Sequence, residues 1–256
     1  MRIAVCIKQV PTREWQPRID ESRRGVREQD ASFEMNEPDA YALEEALRLR
    51  EKHGGEVVAC TAGPARASQV LREALARGAD RAIHVEDHRF GSIAADGFAV
   101  AGALADAVRD EQFDLVLTGL QSDDLGAAQT GVILAERLGL PHATIVMEVQ
   151  VQDARVRVKR ELEGGWFQWV EMPLPALVTI QSGINQLRYA TLKGIMAAKK
   201  KEIRKVVPAG GPSSRTALVS LDVPRRTKET RIISGSPPDA ARTLVNALKN
   251  DARVIE

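Results

Sequence analysis

Residues 115–141 read LVLTGLQSDDLGAAQTGVILAERLGLP, and the fold turns on them. An apolar run over 113–117 suits a buried strand of a parallel sheet. Val132, Ile133, Leu134 and Leu138 then recur at the spacing of one helix face, and Gly139 and Pro141 stop that helix. The turn between them is rich in Gly, Ala, Ser and Asp, with Gln129 and Thr130 where the helix begins. Small side chains there let backbone N–H groups approach a ligand, and a helix N-terminus favours an anion. The residues read as a phosphate site at the carboxyl end of a strand. Any α/β protein also reverses direction through a strand, a glycine turn and a helix, so the stretch alone leaves both readings open.

The chain before it repeats the pattern. Residues 2–10 read as a first buried strand, with Lys8 and Gln9 at the end where such sheets collect ligands. Residues 11–31 are polar, with alternation around 17–26 that suits a loop or small hairpin. Asn36-Glu37-Pro38-Asp39 caps a helix running to about His53, its inner face Ala42, Leu43, Ala46 and Leu47. Gly54 and Gly55 end it. A strand over 56–62, a helix through Val70, Leu71, Ala74 and Leu75, a strand over 81–85 and an Ala-rich helix over 92–108 follow. Strands alternating with helices of this length predict a parallel sheet with helices on both faces. Residues 5–8, 61–64 and 119–131 then meet at one sheet edge, which favours the nucleotide reading. Neither GxGxxG nor GxxxxGK[ST] occurs, so no dinucleotide fingerprint or P-loop is present.

After Pro141 the pattern changes. Residues 144–151, 155–162, 166–171 and 176–180 are expected to form antiparallel strands, with Gly164-Gly165 as a tight turn. Trp166 and Trp169 are expected to cover a sheet face rather than to stack on a ligand. The domain closes at residue 182, and 183–256 read as a separate arm. The arm comprises a mixed loop over 184–195, the run Lys199-Lys200-Lys201, a linker over 208–212, one further strand over 218–223 and an amphipathic helix over 237–248. Ala241, Leu244, Val245 and Leu248 on that helix need another chain or the back of the domain to cover them.

At 256 residues with 44% hydrophobic content, the chain fills a sizeable core. Its 36 basic and 35 acidic residues nearly cancel, so no global field points to nucleic acid or a membrane surface. Cys6 and Cys60 lie in apolar runs, as buried thiols of a reducing compartment do. The N-terminal apolar run is too short for a signal peptide and none reaches eighteen residues, so a soluble, cytoplasmic protein is expected. Four scattered His residues give no metal-ligand spacing, and no metal is expected. No Ser/His/Asp constellation or hydrolytic carboxylate pair stands out, and no catalytic residue is assigned. His84 and His142 sit beside apolar residues and read as packed or surface groups.

Taken together, these residues resemble the β subunit of electron transfer flavoprotein along essentially the whole chain. The most specific match is Val158-x-Arg160-x-x-Glu163-Gly164-Gly165 followed by Pro175-x-Leu177-Val178-Thr179. MRIAVCIKQV, Asn36 with the following LEEALRL, GADRAIHV and the RYATL…IMAAKKK segment agree in the family's order. The resemblance implies an adenine nucleotide α-hydrolase-like α/β domain with Rossmann-type layering, an antiparallel extension and a C-terminal arm packing on a larger α subunit. It implies FAD held mostly by the α chain and a structural AMP here. By position the nucleotide falls to Cys6, Lys8, Asn36, Ala62, Asp124, Gly126, Ala127, Ala128, Gln129, Thr130 and Gly131. Tyr189, Thr191, Leu192 and Ile195 match the family's recognition loop, with Leu192 as the anchor on acyl-CoA or related dehydrogenases. The resemblance further implies that electrons pass on to a membrane quinone reductase, with no membrane insertion by this chain.

The departures from the family are specific. Lys193-Gly194 replaces the usual Pro-Asn after the anchor leucine, Arg13 replaces the aromatic that flanks the flavin, and Gly126 stands where Asp is common. An electron-bifurcating branch carries a second FAD in place of AMP. It shares Lys8-Gln9-Val10-Pro11 but usually has Val where this chain has Thr130, which matches the AMP type. A stand-alone adenine-nucleotide sensor is the third reading, and it has no use for a docking arm.

Overall fold

Short runs of β-branched and small apolar residues, each closed by glycine or a polar turn, make the strands, and Ala/Leu-rich segments between them make the helices. The computed structural model describes residues 1–91, 95–208, 214–224 and 230–255. The chain opens with β1 (Arg2–Cys6), β2 (Gln9–Pro11), β3 (Phe33–Met35) and α1 (Glu37–His53). β4 (Glu56–Gly63), α2 (Ser68–Arg77), β5 (Arg81–Glu86), α3 (Gly97–Val108), β6 (Leu115–Gly119) and α4 (Thr130–Leu138) follow. Then come β7 (His142–Gln152), β8 (Arg155–Glu161), β9 (Phe167–Pro173), β10 (Ala176–Ile180), α5 (Leu192–Ala198), β11 (Ile203–Val206) and α6 (Pro237–Asn246).

One nine-stranded sheet runs β11-β5-β4-β1-β6-β10-β7-β8-β9. From β11 to β7 every neighbouring pair is parallel, and β8 and β9 continue it antiparallel. Leu43 and Leu47 of α1 and Leu71 and Leu75 of α2 pack with Ile3, Val5, Val57 and Leu117 on one face. Leu104 and Val108 of α3 and Leu134 of α4 pack with Ala4, Val58, Ile83 and Val116 on the other. Each such side chain contributes about 1.5–3 kcal/mol by leaving water. The fold class is the layered α/β sheet with an antiparallel extension that the sequence predicts.

Several expectations change in detail. Residues 2–10 are two strands: β1 ends at Cys6, the Lys8 N–H donates to Asp39 Oδ2 at 2.8 Å, and β2 pairs antiparallel with β3 away from the main sheet. β10 is parallel, not antiparallel, and lies between β6 and β7. All five of its residues are buried, the pattern of a strand covered on both faces. Residues 218–223 form no strand; the Leu221 N–H bonds to the Arg23 carbonyl instead. The loop expected over 184–195 gives way to α5 at Leu192, because Thr191 Oγ1 accepts the Gly194 N–H and caps a helix there. Trp166 and Trp169 are exposed, and Trp169 of β9 packs against the Arg157 guanidinium of β8 at 4.3 Å on the face of the sheet. Ser92, the expected helix start, and residues 209–212 of the expected linker lie outside the described residues.

The first compact unit spans Met1–Leu221, past residue 182, because β11 pairs with β5 and α5 rests on α2. The second unit, Asp222–Glu256, centres on α6, whose N-terminus is capped by Ser236 Oγ. No side chain of α6 is buried, and Leu244 and Val245 are exposed. Among the described residues no helix is long and apolar enough to cross a membrane.

Candidate functional site

In a parallel sheet the carboxyl ends of neighbouring strands open on one crevice, and the loops that leave them line it. A cleft of about 830 Å³, part of it open to solvent, lies beyond the ends of β1, β4 and β6. Of the residues that the sequence assigns to a nucleotide, Cys6, Lys8, Asn36, Ala62, Ala127, Ala128, Gln129, Thr130 and Gly131 line it. Asp124 and Gly126 are exposed on the adjoining loop and are not part of that lining. Asp124 takes the Lys8 ammonium on both oxygens, at 2.7 and 2.8 Å, and the Gly126 N–H closes a turn on the Ser122 carbonyl at 2.8 Å.

Two backbone positions in the left-handed region shape the loop, Gly126 at φ +61° and Ala128 at φ +53°. They turn the chain so that α4 begins at the cleft, where the first N–H groups of a helix lack partners of their own. Gly131 brings the helix down on the sheet: a Cβ there would stand 2.7 Å from Thr118 Oγ1 and 2.8 Å from Thr179 Cγ2. Thr130 faces the cleft, and its hydroxyl makes no hydrogen bond to another described residue. Phe90, Val100, Leu104 and Leu125 supply an apolar wall.

Asn36 is a support for this loop. Its Nδ2 donates to the Gln121 carbonyl at 2.9 Å and its Oδ1 accepts the Asp123 N–H at 2.9 Å, so both ends of the amide hold the 121–124 turn. Although it precedes α1, its side chain makes no cap on that helix. Arg13 sits exposed between Glu37 and Asp123, and those carboxylates raise its pKa.

Asp39 is the residue that sequence reasoning missed. It reads as a first-turn helix acid, yet its carboxylate lies buried under the cleft and joins two strand ends. Oδ2 accepts the Lys8 N–H at 2.8 Å and Oδ1 the Gly119 N–H at 2.7 Å. Burial raises its pKa from 3.8 to about 6, against the lowering effect of those two amides. The only sequence signal is its place three residues after Asn36, beside two strand ends that must be tied. Burial also pushes Cys6 well up and Cys60 to about 12, so both thiols stay protonated and packed.

A second group of assigned residues lies on the first unit away from the cleft lining. Tyr189 is 92% exposed, Leu192 78%, and Ile195 and Met196 stand out beside them. Thr191 is spent on capping α5. Lys201 is also spent: its Nζ donates to the Leu75 and Ala79 carbonyls at the end of α2, leaving Lys199 and Lys200 exposed.

An anion end at α4, an apolar wall and a loop of small residues suit an adenine nucleotide. A family model described as "Electron transfer flavoprotein domain" matches residues 24–210. The electron transfer flavoprotein subunit beta of Methylophilus methylotrophus is 36% identical over 258 residues, covering 95% of this chain and 97% of the relative. The human subunit beta is 35% identical over 259 residues, covering 99% of each, and the mitochondrial subunit beta of Oryza sativa subsp. japonica is 38% identical over 259 residues, covering all of each. With that agreement from end to end, the chain belongs to the electron transfer flavoprotein family, among its β subunits.

Proposed function

We propose that the chain is one half of a cytoplasmic heterodimeric electron carrier, holding AMP in the cleft at the ends of β1, β4 and β6. The α partner holds most of the FAD, and bound flavin supplies the redox chemistry. This chain contributes the scaffold. Its proposed nucleotide contacts are the α4 N-terminus with Thr130 and Gly131 toward the phosphate, and the Cys6 and Ala62 strand ends toward the nucleoside. Lys8 is already neutralised by Asp124, so the phosphate charge falls to backbone amides and the helix end rather than to a free cation. Arg13 is the proposed flavin-facing residue.

Tyr189, Thr191, Leu192 and Ile195 are the proposed seat for acyl-CoA or related dehydrogenases, from which electrons pass on to a membrane quinone reductase. An apolar anchor ringed by lysines suits a transient encounter: the anchor supplies affinity and the charges speed association. The observation that carries the nucleotide reading is the pairing of an apolar wall with a helix N-terminus in one cleft. The test is to denature the purified heterodimer and identify what is released. One FAD and one AMP are expected; two FAD would make it a bifurcating flavoprotein, and absence of flavin would leave an adenine-nucleotide sensor.

A further inference from the structure

The exposed side chains Tyr189, Leu192, Ile195 and Met196 stand on a segment bolted to the first unit at both ends. Upstream, Asn185 Nδ2 donates to the Tyr41 carbonyl at 3.1 Å and to Glu45 at 3.0 Å. Arg188 then lays its guanidinium along α1: Nε to Glu44 Oε2 at 2.7 Å, Nη2 to Glu44 Oε1 at 3.0 Å and Nη1 to Glu51 Oε1 at 2.6 Å. The Glu44 side chain is 4% exposed; burial would raise its pKa, but Arg188 and Arg48 hold it below the ordinary value. Downstream, Arg72 Nη1 donates to the Ala198 and Lys201 carbonyls at 2.6 and 3.0 Å.

Between these fixings α5 meets α2 backbone to backbone. A Cβ on Gly194 would stand 2.2 Å from the Ala76 carbonyl oxygen. Carbon–oxygen contacts settle at about 3.3 Å or more, so any side chain here lifts α5 by about 1 Å. A glycine inside a helix weakens it relative to alanine, and α5 has only seven residues. Its presence is explained by the close seat, and what that seat fixes is the height of Leu192 and Ile195 above the protein.

We infer that Gly194 is a specificity-determining position that seats the docking helix, and that Arg188, gripped by Glu44 and Glu51, is the positioning residue that aims it. The inference rests on the docking reading above. A partner pocket that takes Leu192 is lost to an anchor displaced by the length of a bond, while a segment held rigid before binding gives up little freedom on docking.

The test uses the purified heterodimer with its nucleotide and flavin, reduced by an acyl-CoA dehydrogenase charged with its acyl-CoA. The variants are Gly194→Ala, Arg188→Lys, Leu192→Ala and the Leu192/Gly194 double. Gly194→Ala is expected to raise the dehydrogenase's KM for the heterodimer about tenfold with kcat unchanged, and dithionite should reduce the flavin as in wild type. Because the lift acts through the anchor, the double variant should be no worse than Leu192→Ala alone. Arg188→Lys keeps the charge but loses the fork and should raise KM severalfold. A Gly194→Ala protein with wild-type KM, or single losses that multiply in the double, would overturn the seat while leaving docking intact. If Gly194→Ala does not fold, an unchanged KM for Arg188→Lys overturns the inference instead. Full activity of Leu192→Ala would bring down the docking reading and this inference with it.

Discussion

Replacing Asp39 by Asn isolates the buried carboxylate under the cleft. Asp39 is held by the Lys8 and Gly119 N–H groups, yet burial outweighs them and lifts its pKa from 3.8 to about 6. The folded state therefore holds this proton more tightly than the unfolded chain does. The stability it contributes is complete below about pH 4 and is lost as pH rises through 6. A shift of about two units corresponds to about 3 kcal/mol at 1.36 kcal/mol per unit. In Asp39→Asn that slope disappears. The amide keeps one acceptor but turns an N–H toward either Lys8 or Gly119, which costs about 1–3 kcal/mol at every pH. The two effects oppose above pH 6 and do not below pH 4. Melting of wild type and variant across pH 4.5 to 7.5 should thus converge or cross. About 2 kcal/mol of the effect falls inside that window, so the gap should change by about 4–8 °C, at about 2–4 °C per kcal/mol for a chain of this size. Parallel pH profiles would refute the account and mean that Asp39 is ionised throughout.

Three other outcomes follow from the same geometry. Gly131→Ala forces α4 off Thr118 and Thr179; it should cost about 1–3 kcal/mol of stability and empty the cleft of nucleotide, measured by melting and by nucleotide content after dialysis. Thr130→Val leaves the packing alone and should weaken AMP retention by about 1.5–3 kcal/mol, the worth of a hydrogen bond to a charged group, with the flavin spectrum unchanged. Lys201→Met removes the cation that caps the α2 carbonyls and should cost about 1.5–3 kcal/mol, whereas Lys199→Gln with Lys200→Gln should stay within about 0.5 kcal/mol and slow only a salt-dependent association rate, read by stopped flow.

Apart from the short pair β2 and β3, the alternation of strands and helices was legible up to Leu138 because each element there follows its own hydrophobic period. The stretches 5–8, 61–64 and 119–131 were legible as lining one crevice for a related reason, since loops that leave parallel strands share an edge, whereas Asn36 entered only through the family resemblance. Asp39 escaped because its role is set by two backbone amides distant in sequence, which no local pattern encodes. β10 was misassigned because a five-residue apolar run says that a strand is buried but not which neighbours it takes. β11, IRKV, carries two adjacent cations, Arg204 and Lys205, that suit the outer edge it occupies, and without knowledge of the free side of β5 it reads as a charged tail. Thr191 and Gly194 do carry a local signal for α5, a cap three residues before its bonded amide, but the glycine masks it.

The place of β10 also sets an order of events during synthesis. The ribosome delivers β6, then α4, then β7, β8 and β9, and only afterwards the segment that fills the gap between β6 and β7. At about 5–20 residues per second, the roughly sixty residues between β6 and the end of β10 leave a nascent chain for several seconds with two bare strand edges at its centre. Thr179, against which Gly131 seats α4, arrives in that last piece. Slower synthesis over this stretch therefore lengthens the time for which the edge of β6 stays bare and α4 lacks part of its seat.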